Sequence, residues 1–274
     1  MKKTVAIQGV KGSYHHIAAM EYFSQPIDIV ECDSFRKMPD LINQNKVDLA
    51  IMAIENSIAG SILSNYSIIL NNNIKVIGEY YLSISHCLMT IKGQDIGDIK
   101  EIYSHPMAIL QCEEYLKRYP NIKLVETENT ALSAKKISNE NLINIAAIAS
   151  ETAGNIYKLS IIDRDIQTKK NNFTRFFIIA KTNIESLRDK DKASIKFSLK
   201  HQPGNLADIL NTFSSKDINL TKIQSIPIID KPWEYSFIVD FLFKDENHYS
   251  DLMRSLEGKC NDIEIIGKYK SCLI

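Results

Sequence analysis

Three short segments carry residue types suited to acid, base or anion chemistry. Ala53-Ile54-Glu55-Asn56-Ser57 follows a long apolar run. Glu55 can bear a proton or orient a donor, and Asn56 and Ser57 can hydrogen-bond a carboxylate or hydroxyl. Polar groups at the C-terminal end of a strand sit where open α/β sheets bind ligands. A helix cap at Ser57 with a solvated Glu55 accounts for the same residues equally well. Asn172-Phe173-Thr174-Arg175-Phe176-Phe177 embeds a guanidinium in an apolar strand, which is costly unless it is paired. A bound carboxylate would satisfy Arg175 bidentately, and so would a structural Asp or Glu. Strand alternation puts Thr174 and Arg175 on opposite faces, so both touch one ligand only if the strand ends or bends there.

The third segment, Gly9-Val10-Lys11-Gly12-Ser13, lies between a strand and a helix. Its glycines would let backbone N–H groups approach an anion at the helix N-terminus. A tight turn with Ser13 as cap is the plainer account, and the spacing matches no nucleotide fingerprint. Ser104-His105-Pro106 opens a helix that carries Gln111 and Cys112. His105 has the pKa range of a general acid, but capping or packing suits its position better. Glu113 and Glu114 fall on that helix's solvated face. His15-His16 has no partner pair at metal-ligand spacing, so no metal is expected.

These segments need a framework. Over the first 180 or so residues short apolar runs alternate with helical patterns. Val47–Ile54 is nearly continuous, as in a strand covered on both faces. The alternation predicts an α/β architecture with largely parallel sheets. We read it as two lobes with a cleft between them, roughly 1–75 plus 160–182 and 76–159. The polar stretch Thr182–Lys192 is the expected linker. Beyond it, Ser194–Lys200, Pro203–Ser214, Leu220–Ile229, Tyr235–Phe243, Tyr249–Leu256 and Ile263–Tyr269 follow the order β-α-β-β-α-β. That order predicts a ferredoxin-like domain over 193–274.

Composition narrows the function classes. Lys plus Arg and Asp plus Glu are 33 each, so no global basic field is available for nucleic acid or an anionic membrane. An anionic substrate must be held by a local site. The five cysteines are odd in number and none are at C-x-x-C spacing, which reads as reduced thiols in the cytoplasm. The N-terminal apolar run is only one strand long, unlike a signal peptide, and no segment has the length of a membrane span.

Taken together, VDLAIMAIENSIAGS, SHPMAILQCEEYL and NNFTRFFIIA resemble the prephenate dehydratase family in order and spacing. QGVKGSY matches that family's opening loop. PGNLADIL, INLTKIQSIP and YSFIVDF resemble the ACT regulatory domain that usually follows. The resemblance covers nearly the whole chain and implies a catalytic domain over 1–182 resembling the type II periplasmic-binding-protein fold. It implies Thr174 as the main catalytic hydroxyl, supported by Glu55. Asn56, Ser57, Gln111, Ser13, Ser104 and Arg175 become expected substrate contacts. Gly204, Leu206, Ser225 and Pro227 match the segments that bind the effector L-phenylalanine between ACT domains of a homodimer or homotetramer. Many members read Glu-Ser-Arg-Pro where this chain has Gln224-Ser225-Ile226-Pro227. Loss of that ion pair puts the strength of phenylalanine inhibition in question.

The implied reaction converts prephenate to phenylpyruvate, carbon dioxide and water in phenylalanine biosynthesis. Aromatisation supplies the driving force and no redox step occurs, so no cofactor is expected. The catalyst has to hold two carboxylates and assist a departing hydroxyl. Arogenate dehydratase is the nearest alternative, since the residues do not separate the two substrates. A non-catalytic small-molecule sensor with an ACT domain is the alternative from another class. The first strand begins at Thr4, which argues against a fused chorismate mutase.

Overall fold

In the computed structural model, residues 2–181, 189–228 and 234–272 are described. The chain divides into two compact units. One comprises Met1–Ile68 and Tyr80–Phe176, the other Ile69–Glu79 and Phe177–Ile274. Most of the expected linker, residues 182–188, lies outside the described residues, as does Ile229.

The first unit contains two sheets. Its first lobe is built from β1 (Lys3–Gln8), α1 (Tyr14–Tyr22), β2 (Ile27–Cys32), α2 (Met38–Asn43), β3 (Leu49–Asn56), the short β4 (Gly60–Ser61) and α3 (Leu63–Leu70). β1 pairs in parallel with β2 and with β3. β3 carries six consecutive buried residues because helices and sheet cover both of its faces. After β5 (Ile74–Ser83), the second lobe follows: β6 (Cys87–Thr90), β7 (Glu101–Ser104), α4 (Pro106–Gln111), α5 (Glu113–Leu116), β8 (Lys123–Glu126), α6 (Thr130–Glu140), β9 (Ile145–Ala149), α7 (Glu151–Ile156) and β10 (Ser160–Asp163). The strand order there is β10-β6-β9-β7-β8. β11 (Phe173–Lys181) returns beside β3 in the first sheet.

Two expectations are corrected. Residues 160–163 were expected in the first lobe, but β10 pairs antiparallel with β6 and closes the second sheet. The helix expected to open at Ser104-His105-Pro106 and carry Gln111 and Cys112 is broken at Cys112, whose φ of −103° and ψ of 15° are not helical. The cause is a strap from a later segment. Thr168 N–H donates to the Gln111 carbonyl at 2.8 Å, and Thr168 Oγ1 accepts from Glu114 N–H at 3.3 Å. These bonds replace the next helical rung and turn Gln111 toward the start of β11.

The second unit has the predicted β-α-β-β-α-β order: β12 (Lys192–Ser198), α8 (Asn205–Ser215), β13 (Leu220–Pro227), β14 (Tyr235–Leu242), α9 (Glu246–Leu256) and β15 (Asn261–Tyr269). β12 runs antiparallel between β14 and β15. Ile195, Phe197, Ile209, Phe213, Phe241 and Leu252 centre its core. Lys192 is no linker residue. It opens β12 fully buried and pairs with the equally buried Glu79 at 2.9 Å and 3.0 Å. Gly267 lets β15 close on β5, because a Cβ there would meet the Val76 carbonyl oxygen at 2.2 Å.

Candidate active site

The end of β3 and the start of β11 are zipped together although more than a hundred residues separate them. Ser57 N–H donates to the Phe173 carbonyl at 2.8 Å, and Phe173 N–H donates back to Ser57 Oγ at 2.9 Å. The turn after β3 is an Asx turn: Asn56 Oδ1 accepts from Ile58 N–H at 3.0 Å and Ala59 N–H at 2.9 Å. That turn lets β4 fold back on β3.

The turn also determines where protons lie. Amide orientation has to be inferred from partners, and here backbone N–H groups can only donate. Asn56 Oδ1 is therefore the acceptor end and Nδ2 the donor end. Nδ2 faces Asn172 Oδ1 at 2.8 Å, Thr174 Oγ1 at 3.0 Å and the Phe173 carbonyl at 3.2 Å. Thr174 Oγ1 thus accepts from Asn56, and its own hydrogen is left to point elsewhere. Asn172, with its Oδ1 occupied by Asn56, donates through Nδ2 to Gln111 Oε1 at 2.9 Å. Asn56, Thr174 and Gln111 are half-buried, Asn172 is fully buried and Ser57 is exposed. The site therefore presents one hydroxyl donor, backed by an amide chain and open to a ligand.

The opposite faces of the same two strands hold Glu55 and Arg175. Arg175 Nη1 stands 3.9 Å from Glu55 Oε2, with its guanidinium 5.8 Å from the centre of the Tyr81 ring. Parity along β3 and β11 thus pairs 56 with 174 and 55 with 175. The bond to Thr174 Oγ1 comes from Asn56. Only 3% of the Arg175 side chain is exposed.

Two further expected contacts have structural duties. Ser13 is buried and caps α1, accepting from His16 N–H at 3.2 Å. Ser104 is completely buried and donates to the Ile148 carbonyl at 2.7 Å, stitching β7 to β9. The glycine loop is not an open anion cradle. Gly9 N–H donates to Cys32, Lys11 N–H to Glu31, Gly12 N–H to His16 Nδ1 and Ser13 N–H to Val10. Gly12, at φ 89°, is needed for close packing: a Cβ there would lie 2.8 Å from Ala153 Cα. His105 caps α4 through Nδ1, and Glu113 and Glu114 pair with Lys117 at the surface. A hollow of about 710 Å³ lined by Gly9, Glu31, Lys37 and Asn129 does not include the residues around Thr174.

Three contributors escaped the sequence reading. Asn172 sits inside the NNFTRFF string, so its place next to a suspected strand was a usable signal. His86 and Tyr14 join the chain at its far end, with His86 Nε2 2.9 Å from Gln111 Oε1 and His86 Nδ1 2.7 Å from Tyr14 Oη. Neither has a spacing cue.

In the second unit Gly204 caps α8 at φ 90°, a left-handed conformation that favours glycine. Leu206 packs against the core, and Ser225 and Pro227 lie on the exposed face of β13. Gln224 donates to the Ser225 carbonyl at 2.9 Å.

The fold and site define an α/β protein with two lobes, one presented hydroxyl, and an appended β-α-β-β-α-β module. The chain belongs to the prephenate dehydratase family, which it matches over residues 5–184, and residues 193–258 match the ACT domain. It is 36% identical over 276 residues to "Arogenate dehydratase/prephenate dehydratase 2, chloroplastic" of Arabidopsis thaliana, covering 97% of this chain and 72% of that protein. The prephenate dehydratase of Staphylococcus aureus subsp. aureus Mu50 shares 26% identity and a TM-score of 0.83, over 98% of this chain and 100% of that one. That of Arthrobacter aurescens in complex with L-Phe has the same fold, with a TM-score of 0.87 at 24% identity, over 98% and 90% of the two chains. No helix among the described residues is long and apolar enough to cross a membrane.

Proposed function

We propose that the chain converts prephenate to phenylpyruvate with Thr174 as the donor to the departing hydroxyl. The observation that carries this is the 3.0 Å bond from Asn56 Nδ2 to Thr174 Oγ1. Because Asn56 can only donate there, the Thr174 hydrogen is free to meet an oxygen on the ligand. The ring carbon–carboxylate bond breaks and its electron pair enters the ring as the carbon–hydroxyl bond breaks. Carbon dioxide leaves, and the hydroxide takes one proton from solvent to become water. A threonine hydroxyl is too weak an acid to ionise, so it acts by hydrogen bonding to the developing charge. Asn56, Ser57 and Gln111 orient the substrate, and Glu55 supplies a charge on the opposite face of the two strands, beside Arg175.

The second unit serves phenylalanine feedback in a homodimer or homotetramer in the cytoplasm. The left-handed cap at Gly204 and the exposed Ser225 and Pro227 support an effector site there. Gln224 and Ile226 cannot form the ion pair found in many members, so the strength of inhibition is what the assay with phenylalanine measures. The test is ultraviolet detection of phenylpyruvate from prephenate by the purified chain, with and without phenylalanine. Absence of product refutes the proposal. The ratio of kcat/KM for prephenate and arogenate assigns the preferred substrate.

A further inference from the structure

We infer that His86 is a positioning residue for Thr174, acting as the terminal donor that fixes the direction of the amide chain behind the hydroxyl. This rests on the role given to Thr174 above. The backbone N–H groups of Ile58 and Ala59 make Asn56 Nδ2 a donor, which makes Asn172 Oδ1 an acceptor and Asn172 Nδ2 a donor. Gln111 Oε1 is then an acceptor. It receives Asn172 Nδ2 at 2.9 Å and has His86 Nε2 at 2.9 Å. An acceptor oxygen requires Nε2 to carry the hydrogen.

The other ring nitrogen completes the account. Nδ1 lies 2.7 Å from Tyr14 Oη, which also lies 2.7 Å from the Ser85 carbonyl; burial raises Tyr14 well above its ordinary pKa, so it stays a neutral phenol whose one hydrogen is shared between these two acceptors. Burial also holds the imidazole below its ordinary pKa, although the Gln111 contact works the other way. A neutral ring bearing the hydrogen on Nε2 donates to Gln111 and offers Nδ1 as the second acceptor for the Tyr14 hydrogen beside the Ser85 carbonyl.

The residue is pinned for this duty. His86 N–H donates to Gln167 Oε1 at 2.9 Å, and the His86 carbonyl accepts from Ile166 N–H at 3.0 Å. With only 2% of its surface exposed, His86 has no route to a ligand of its own and acts through Gln111, Asn172 and Asn56. The alternative direction of the chain is self-consistent as far as Asn172. There Asn172 would turn an N–H toward the Asn56 amine, and two donors would face each other across 2.8 Å. His86 with Nε2 protonated removes the incentive for that flip.

The test uses the full chain, labelled with ¹⁵N at histidine. Correlation of the ring nitrogens with the carbon-bound ring hydrogens reports the tautomer, and His86→Gln identifies the His86 signals. The expected spectrum shows a protonated Nε2 and an unprotonated Nδ1 at the pH of the assay. A protonated Nδ1, alone or in an imidazolium, overturns the inference. Kinetics supply a second arm. His86→Asn keeps an amide near the Nδ1 position but cannot reach Gln111, whereas the longer amide of His86→Gln reaches the Nε2 position. The asparagine variant should lose kcat on the order of 10²-fold, the cost of misplacing a reacting group by about 1 Å, with KM little changed. The glutamine variant should recover most of that loss. Equal loss in both variants, or loss in neither, contradicts the inference. If the wild-type chain makes no phenylpyruvate, the reaction assigned to Thr174 falls, while the tautomer still decides the direction of the chain.

Discussion

Asn56→Asp is nearly isosteric and reverses the polarity at the centre of the site. One carboxylate oxygen can still accept from Ile58 and Ala59 N–H, so the Asx turn survives. The other oxygen replaces a donor that now faces Asn172 Oδ1 at 2.8 Å and Thr174 Oγ1 at 3.0 Å. Every downstream group has a relaxed alternative. The Asn172 and Gln111 amides flip, His86 shifts its hydrogen to Nδ1, and Tyr14 keeps its bond to the Ser85 carbonyl at 2.7 Å while accepting from His86. Thr174 alone has none that preserves its task, because its hydrogen is drawn inward to the new carboxylate. Loss of one donor positioned at developing charge is worth about 10²–10³-fold in rate, or roughly 3–4 kcal/mol of transition-state stabilisation at about 1.4 kcal/mol per factor of ten. The fold should cost little, since all buried groups stay paired. The assay is steady-state phenylpyruvate formation beside thermal unfolding. A variant that keeps wild-type kcat would refute the reasoning, and so would one whose loss of rate merely tracks loss of folded protein. Any rise in KM reports repulsion of the substrate carboxylates and leaves the kcat test intact.

Lys192→Met removes the buried cation paired with the Glu79 carboxylate in the core of the second unit, which also accepts from Cys272 N–H at 3.0 Å. Breaking a buried pair costs about 3–5 kcal/mol, and adding Glu79→Leu should recover most of it; denaturant unfolding of the single and double variants checks this. Burial lowers the His15 pKa to about 3. Between that value and the ordinary 6.5, the unfolded chain binds a proton that the folded chain refuses. His15 therefore weakens the fold as pH falls through this window, by about 1.4 kcal/mol per pH unit. His15→Leu loses the acceptor for Ala53 N–H but escapes the titration. Its stability deficit against wild type should shrink with acid, and a constant deficit contradicts the assignment.

Much of this architecture could be read in the residues. The apolar run ending at Glu55 marks a covered strand, and the alternation after Lys192 marks the second unit. Parity also carried real information, because opposite faces for Thr174 and Arg175 are what the structure shows. The identity of each face's partner was not available from one strand. It depends on the register between β3 and β11, set by Ser57 and Phe173 more than a hundred residues apart. The same limit hid His86 and Tyr14, which matter only because a chain of side-chain amides ends on them. Ser13 and Ser104 show a further limit: a serine hydroxyl suits a ligand or the backbone equally well, and the backbone bonds that each makes here depend on contacts the local sequence does not reveal.

The most direct measurement compares kcat for Thr174→Val and Thr174→Ser on prephenate. Valine keeps the side-chain shape and leaves Asn56 Nδ2 with the Asn172 and Phe173 acceptors, so the protein should fold. The valine variant should lose about 10²–10³-fold in kcat, while serine, which still accepts from Asn56 and donates outward, should retain most of it. Wild-type turnover in the valine variant, or equal collapse in both, would contradict a donor hydroxyl at position 174.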